Sequence, residues 1–388
     1  MTEPYTPHAP AVLADPAAGY RCLHDDAPLA WVRSFDPPYC ILSRYADVAE
    51  ALRDITTFSS EFGQGPRFTP PAGMLSDPPQ HTFFRSLVQQ AFTPRSMAAI
   101  TDQVLALGES LAANLLEREQ WDLHDDFAFP LPVMVIAGLL GVPADDIHHF
   151  KRWSDASVAA MGAEDPRPYA EDLQAMARYL LAAIRERRTR VTPGTDLIAL
   201  LVAAREGDRG LEDAEILGVV TQLLVGGNET TTSLITNAVW RLLEQPALWR
   251  ALVADPGLVD PVIEESLRFD PPVLGLFRNT TRDLVLHGEP VPKGTKVWLH
   301  YAAANRDPRV FAEPDRFDPA RERSRHLAFG LGVHFCLGAQ LARLEARSAL
   351  LALVRHFPRL ELVNAGERIT PFFLWGRRHL PVRSGRNA

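Results

Sequence analysis

Apolar residues recur every three to four positions over several long stretches of the chain, the spacing that lines one face of an α-helix. It predicts helices over Tyr45–Arg53, Gln80–Ala91, Met97–Glu119, Met134–Leu140 and Ala170–Arg188, and a long one from about Asp213 to Gln245. A further helical pattern runs from Ala339 to Arg355. Alternation with a period of two is scarcer. Ala30–Leu42 alternates around a Pro37-Pro38 turn, Leu284–Leu299 reads as a hairpin with turns at Gly288 and Gly294, and Leu360–Val382 is extended. The expectation is a mainly α fold with a minor β part, the β-rich portions at roughly 25–45, 280–300 and 360–385.

No Gly/Ser-rich linker, charge run or repeat interrupts the sequence, so residues 1–388 are expected to form a single domain. Two proline-rich stretches, 63–79 and 305–319, lack periodicity, and loops of that length are usually functional or covering elements. The longest apolar run, Pro130–Pro143, is shorter than the roughly 20 residues that span a bilayer and carries three prolines, which favours a buried helix.

Composition narrows the function. With 46% hydrophobic and 23% charged residues the chain has material for a large core. Its formal charge of -8, with arginines dispersed rather than massed, gives no support to nucleic-acid binding. The first ten residues have neither the basic nor the apolar part of a secretory signal, and three cysteines in no CxxC spacing argue against a disulfide framework or a structural zinc site. A cytoplasmic protein with no membrane segment is expected.

The most informative stretch is Phe329-Gly330-Leu331-Gly332-Val333-His334-Phe335-Cys336-Leu337-Gly338. Three glycines around one cysteine suggest a backbone that turns tightly against something flat. Cys336 stands just before a helical pattern, where the positive end of the helix dipole favours a thiolate. Phe335 occupies the third glycine position of a would-be GxGxxG, which removes the dinucleotide reading, and one Cys with one His makes no zinc site.

The loop resembles the haem-binding signature FxxGxHxCxG of the cytochrome P-450 family, matched at Phe329, Gly332, His334, Cys336 and Gly338. Other segments follow in order. Gly226-Gly227-Asn228-Glu229-Thr230 lies inside the long helix, where each glycine costs about 1 kcal/mol relative to alanine. Close helix packing is one explanation; the other is a flat cofactor and dioxygen against the helix face, for the segment resembles the family's oxygen-binding motif, with Glu229 and Thr230 as an acid–alcohol pair. Glu265-Ser266-Leu267-Arg268, on its own an ordinary one-turn ion pair, resembles the family's ExxR helix, and Pro314-Asp315-Arg316-Phe317 its arginine-bearing partner segment. Glu265, Arg268 and Arg316 are then expected to form a buried structural triad. His81, Arg85 and Arg278 match family positions that hold the haem propionates, as His334 does from the loop.

The resemblance, running from about Asp77 to Val382, implies the cytochrome P-450 fold, with haem b (iron protoporphyrin IX) between the long distal helix and the proximal cysteine loop. Cys336 would be the metal ligand, with Gly226 and Gly227 against the cofactor. It also implies a bacterial-type monooxygenase that uses O2, draws electrons from a separate ferredoxin and its reductase, with NAD(P)H acting only indirectly, and hydroxylates a hydrophobic small molecule: terpenoid, steroid, fatty-acid-like or aromatic. Substrate contacts are expected by position at Phe68, Leu75, Leu223, Leu224, Val273, Leu276, Phe277 and Phe373. Arg321, Arg323, Arg325, Arg343 and Arg347, near the cysteine loop, are candidates to meet an acidic redox partner or to form a solvated face. Two alternatives stay open from the residues: a peroxide-driven peroxygenase, which the Glu229-Thr230 pair disfavours, and a non-catalytic haem sensor or carrier, which has no use for that pair.

Overall fold

The computed structural model describes residues 5–69, 73–143, 146–163, 165–192, 194–206, 208–322 and 325–385. Helix makes up 55% of it, as the periodicity predicts. The axis of the molecule is the helix Asp213–Glu244, opened by a reciprocal cap in which Glu212 and Glu215 each bond the other's backbone N–H. Helices Pro130–Leu140, Ile147–Gly162, Ala170–Thr189, Val259–Phe269 and Ala339–His356 pack around it. In its second half it is buried throughout Thr231–Trp240, a stretch that is apolar or small apart from Asn237, whose amide donates to Asp270 O and Trp375 O.

The predicted helices Tyr45–Arg53, Gln80–Gln89 and Ala170–Thr189 form within a few residues of their expected bounds. The next is shifted: it spans Pro94–Ala113, because Thr93 caps it by accepting from the Ser96 N–H at 3.2 Å and Pro94 begins it. The apolar run becomes the helix Pro130–Leu140, closed by Gly141 at φ +73°. No helix among the described residues is long and apolar enough to cross a membrane. Val259–Phe269 is the helix that the resemblance implies around Glu265–Arg268, and both of those side chains are buried on it.

Five strands form the principal sheet, in the order Leu29–Val32, Tyr39–Leu42, Lys296–Leu299, Leu276–Thr280, Phe58–Ser59. The Leu284–Leu299 stretch is not one hairpin. Gly288 turns a short hairpin, Leu284–Leu286 with Glu289–Val291, whereas Lys296–Leu299 pairs parallel with Tyr39–Leu42 and antiparallel with Leu276–Thr280. The physical reason is burial: Lys296–Leu299 is buried at all four positions, as an interior strand should be, while the hairpin stays at the surface. A second sheet joins Leu360–Leu362, Pro381–Ser384 and Gln120–Asp122.

Candidate active site

The cysteine loop is set by its glycines. Gly330 and Gly332 take φ values of +67° and +72°, and a Cβ on Gly332 would lie 2.9 Å from the Leu52 carbonyl, at the end of the helix Tyr45–Arg53. The loop closes with Cys336 N–H donating to Phe329 O at 2.9 Å and Phe335 N–H to Gly332 O at 3.1 Å. Cys336 therefore faces a cavity of about 310 Å³, within the range of small-molecule and cofactor sites. Burial pushes its thiol up, opposed by the Gly338 N–H and by the charges of Arg85 and Arg343. The helix end expected to favour a thiolate is thus outweighed by desolvation in the protein alone, and a bound cation is what would reverse the balance.

Across the cavity lies the glycine segment of the long helix. Gly226, Gly227, Thr230 and Thr231 line it. A Cβ on Gly226 would meet nothing within 4 Å, so it is the cavity and not a neighbouring helix that faces this glycine. Thr230 Oγ1 donates to Gly226 O at 2.7 Å. Glu229, one residue earlier, points away from the cavity; it is buried, its Oε2 has no hydrogen-bond partner, and desolvation raises its carboxyl above the usual range.

Basic groups gather at the rim. His81, Arg85, Arg278 and His334 all border the cavity. His81 Nδ1 and His334 Nε2 are buried without a hydrogen bond, and the two rings meet edge-on at 4.3 Å. His334 Nε2 stands 3.8 Å from Asp77 Oδ1, too far for a hydrogen bond. Burial and the neighbouring His334 and Arg85 lower the His81 imidazole to about 4. Among the described residues neither Arg85 nor Arg278 pairs with a carboxylate, although Arg278 is buried. Buried guanidinium without a counter-ion and two orphaned ring nitrogens are what an anionic ligand edge would satisfy. A haem, with glycines on one face, a cysteine on the other and propionates at this rim, fits these residues.

Among the candidate substrate contacts, Leu75, Leu223, Val273 and Leu276 line the cavity. Phe277 does not: alternation along Leu276–Thr280 turns Leu276 and Arg278 to the cavity and sends Phe277 into the core against Tyr39 and Trp298. Leu224 and Phe373 belong to the buried core as well. Phe68 is 49% exposed, its ring beside Phe62 and the Lys296 ammonium. Gln64, Gln222 and Glu345 line the cavity and escaped the sequence reading. Glu345 carries a readable signal, a carboxylate on the apolar stripe shared by Leu341 and Ala349. It hydrogen-bonds Thr231, and burial pushes its carboxyl up to about 8.

The triad needs one correction. Arg268 is fully buried and grips Glu265 with Nε and Nη2 at 2.8 and 2.7 Å. The second arginine is Arg321, whose Nε lies 3.4 Å from Glu265 Oε1. Arg316 is 60% exposed, pairs with Glu313 and Asp318, and contributes its backbone carbonyl to Arg268. A turn closed by Arg321 N–H on Asp318 O brings the later arginine back to the carboxylate. Arg343 and Arg347 pair with Glu264 and Asp260, so with Arg321 they are already engaged. Arg325 carries its backbone carbonyl to the Tyr45 hydroxyl, and Arg323 lies outside the described residues.

The family model described as Cytochrome P-450 matches residues 27–256 and 254–375. The chain is 41% identical over 356 residues to the erythromycin C-12 hydroxylase of Saccharopolyspora erythraea, covering 88% of each. It is 38% identical over 359 residues to the vitamin D(3) 25-hydroxylase of Pseudonocardia autotrophica, covering 90% of this chain and 88% of that one. It superposes with a TM-score of 0.84 at 34% identity on the crystal structure of CYP109E1 from Bacillus megaterium in complex with testosterone, over 96% of this chain and 100% of the other.

Proposed function

The chain belongs to the cytochrome P-450 family of monooxygenases, and from that premise we propose a haem-thiolate enzyme that hydroxylates a hydrophobic small molecule, with Cys336 as the residue that would hold the iron. When bound, haem b supplies the iron at which dioxygen is activated, and a thiolate ligand favours O–O cleavage. What carries the proposal is the opposition of Cys336 and the Gly226–Thr230 segment across one cavity whose rim holds Arg85, Arg278, His81 and His334 without carboxylate partners close enough to bond.

Each side chain has a task in this reading. Arg85, Arg278, His81 and His334 anchor the propionates through charge-assisted hydrogen bonds. Gly226 and Gly227 on the long helix, and Gly330 and Gly338 on the cysteine loop, would leave room for the flat group, whereas Gly332 is spent on the close approach to Leu52 and does not line the cavity. The Thr230 hydroxyl, spent on Gly226 O in this structure, turns to hydrogen-bond an oxygen in the cavity and holds a proton there. Glu229 replaces that proton; its raised pKa keeps it protonated closer to neutral pH, which suits a general acid. Leu75, Leu223, Val273 and Leu276 exclude water and orient an apolar substrate, while Gln64 and Gln222 offer polar contacts. The substrate is of the terpenoid, steroid, fatty-acid-like or aromatic kind, and the relatives named for vitamin D(3) and crystallised with testosterone favour the steroid-like end. Electrons come from a ferredoxin and its reductase, NAD(P)H acting through them, a reading supported by the resemblance to bacterial-type members of the family.

The test is the visible spectrum of the dithionite-reduced protein under carbon monoxide. A strongly red-shifted Soret band that disappears in Cys336→His supports the proposal. An imidazole-like band in the wild type, or no haem, overturns it.

A further inference from the structure

The second half of the long helix meets a short hairpin near the C-terminus, in which Glu367–Arg368 pairs antiparallel with Arg377–His379. Arg368 and Arg377 stand directly opposite each other in that register, an arrangement that costs stability when both carry the same charge. Both guanidiniums approach the Trp375 ring, at 5.4 and 5.3 Å from its centroid, and Arg377 also stacks on Trp240 at 3.4 Å. Two further arginines complete the group. Arg241 lies 3.9 Å from the same Trp240 ring, and Arg306 meets it on Asp270.

The carboxylates are unevenly shared. Asp270 gives one oxygen to Arg241 at 2.5 Å and the other to Arg306 at 3.1 Å, while Glu244 pairs with Arg241 and Asp315 with Arg306. Among the described residues Arg368 and Arg377 pair with none. Arg368 Nη2 donates to the Pro371 and Leu374 carbonyls, and Arg377 is 8% exposed. Four donor atoms are buried here with no acceptor: Nε of Arg368, Nε of Arg377, and the indole Nε1 of Trp240 and of Trp375. Burial lowers both guanidiniums to about 10, helped at Arg377 by the charge of Arg241, so each is still a cation at neutral pH. A buried charge without a counter-ion is costly.

We propose that Arg368 and Arg377, with the indole N–H groups of Trp240 and Trp375, bind a small inorganic anion of chloride size. The donors themselves select it. Guanidinium and indole nitrogens donate and never accept, so a water among them would accept from two and turn its own hydrogens toward further donors. Asn237 Oδ1, the orphaned acceptor one turn before Trp240, takes only one hydrogen of such a water. A halide accepts from every side and supplies the charge that Asp270, already divided between Arg241 and Arg306, does not. None of the four residues lines the cavity. The anion would therefore fasten the C-terminal hairpin to the long helix without touching substrate.

Two measurements on the haem-loaded protein test this. The first is thermal unfolding as sodium chloride replaces sodium gluconate at constant ionic strength. A ligand that binds only the folded chain multiplies the folded-to-unfolded ratio about tenfold for each tenfold rise in its concentration above Kd. The wild-type Tm should therefore climb with the logarithm of chloride concentration, and the Tm of Arg377→Met should stay flat. Should Arg377→Met fail to fold, Arg368→Met takes its place, since it removes the other guanidinium and leaves the Trp240 stack intact. The second measurement is anomalous diffraction from crystals soaked in sodium bromide, where a bromide peak within hydrogen-bond reach of Arg368 Nε, Arg377 Nε and the two indole nitrogens is expected. A Tm independent of chloride overturns the proposal, and so does the same climb in the variants. Ordered water in place of bromide between the two guanidiniums also overturns it. A bromide peak there beside a Tm that ignores chloride marks an adventitious ion only and counts against it equally.

Discussion

Glu229 and Glu265 are both 4% exposed, and the protein treats them in opposite ways. Glu265 is saturated: Arg268 grips both oxygens, the Asp318 N–H donates at 2.8 Å, and Arg321 approaches at 3.4 Å. Glu229 has an oxygen with no partner and a carboxyl that burial raises. A carboxylate with both oxygens bonded serves the fold by holding its partners, while one with an oxygen left unbonded is free to serve chemistry. Glu345 stands between the two, with Thr231 as partner and an opening on the cavity.

The contrast breaks most visibly at Arg268. Arg268→Ala strands the Glu265 charge and is expected to cost about 3–5 kcal/mol, read as a fall in denaturation midpoint at constant slope. A loss below about 1 kcal/mol would mean that the Arg268–Glu265 contact does not hold the core. The two downstream arginines sharpen the comparison. Arg321→Ala is expected to cost about 1–3 kcal/mol for one partner of a buried acceptor, and Arg316→Ala to stay within about 0.5 kcal/mol, as an exposed change does. The reverse ranking in the same unfolding assay would restore Arg316 to the triad.

The last comparison is a slope with pH rather than a loss at one pH. The Glu345 carboxyl is raised from 4.5 to about 8 in the folded protein, so between those values the folded state holds a proton that the unfolded state has lost. Its contribution to stability is full below pH 4.5 and falls as pH rises through about 8. Glu345→Gln removes that fall, and its Tm should gain on the wild type across this window; parallel Tm curves would show that Glu345 is ionised throughout.

The sequence made the cysteine loop readable because its positions are constrained by backbone geometry: Gly330 and Gly332 occupy left-handed conformations, and Gly332 has no room for a side chain beside Leu52. Helix bounds were legible where an apolar stripe met a cap or a glycine, as at Pro130–Leu140. The arginine of the triad was not. Arg316 and Arg321 lie five residues apart on one irregular segment, and which of them reaches Glu265 depends on a turn at Asp318 that has no periodic signature.

The strand Leu276–Thr280 sets Leu276 and Arg278 on the cavity and Phe277 behind it. Its two-residue period divides what can evolve from what cannot. Leu276 is open to exchange as substrates change, Phe277 is bound by its stacking on Trp298 and its edge contact with Tyr39, and Arg278 is tied to whatever anion the rim receives. A mutagenesis library that varies 276 and leaves its neighbours alone therefore explores substrate preference, whereas one that randomises all three mostly samples misfolded or cofactor-free protein.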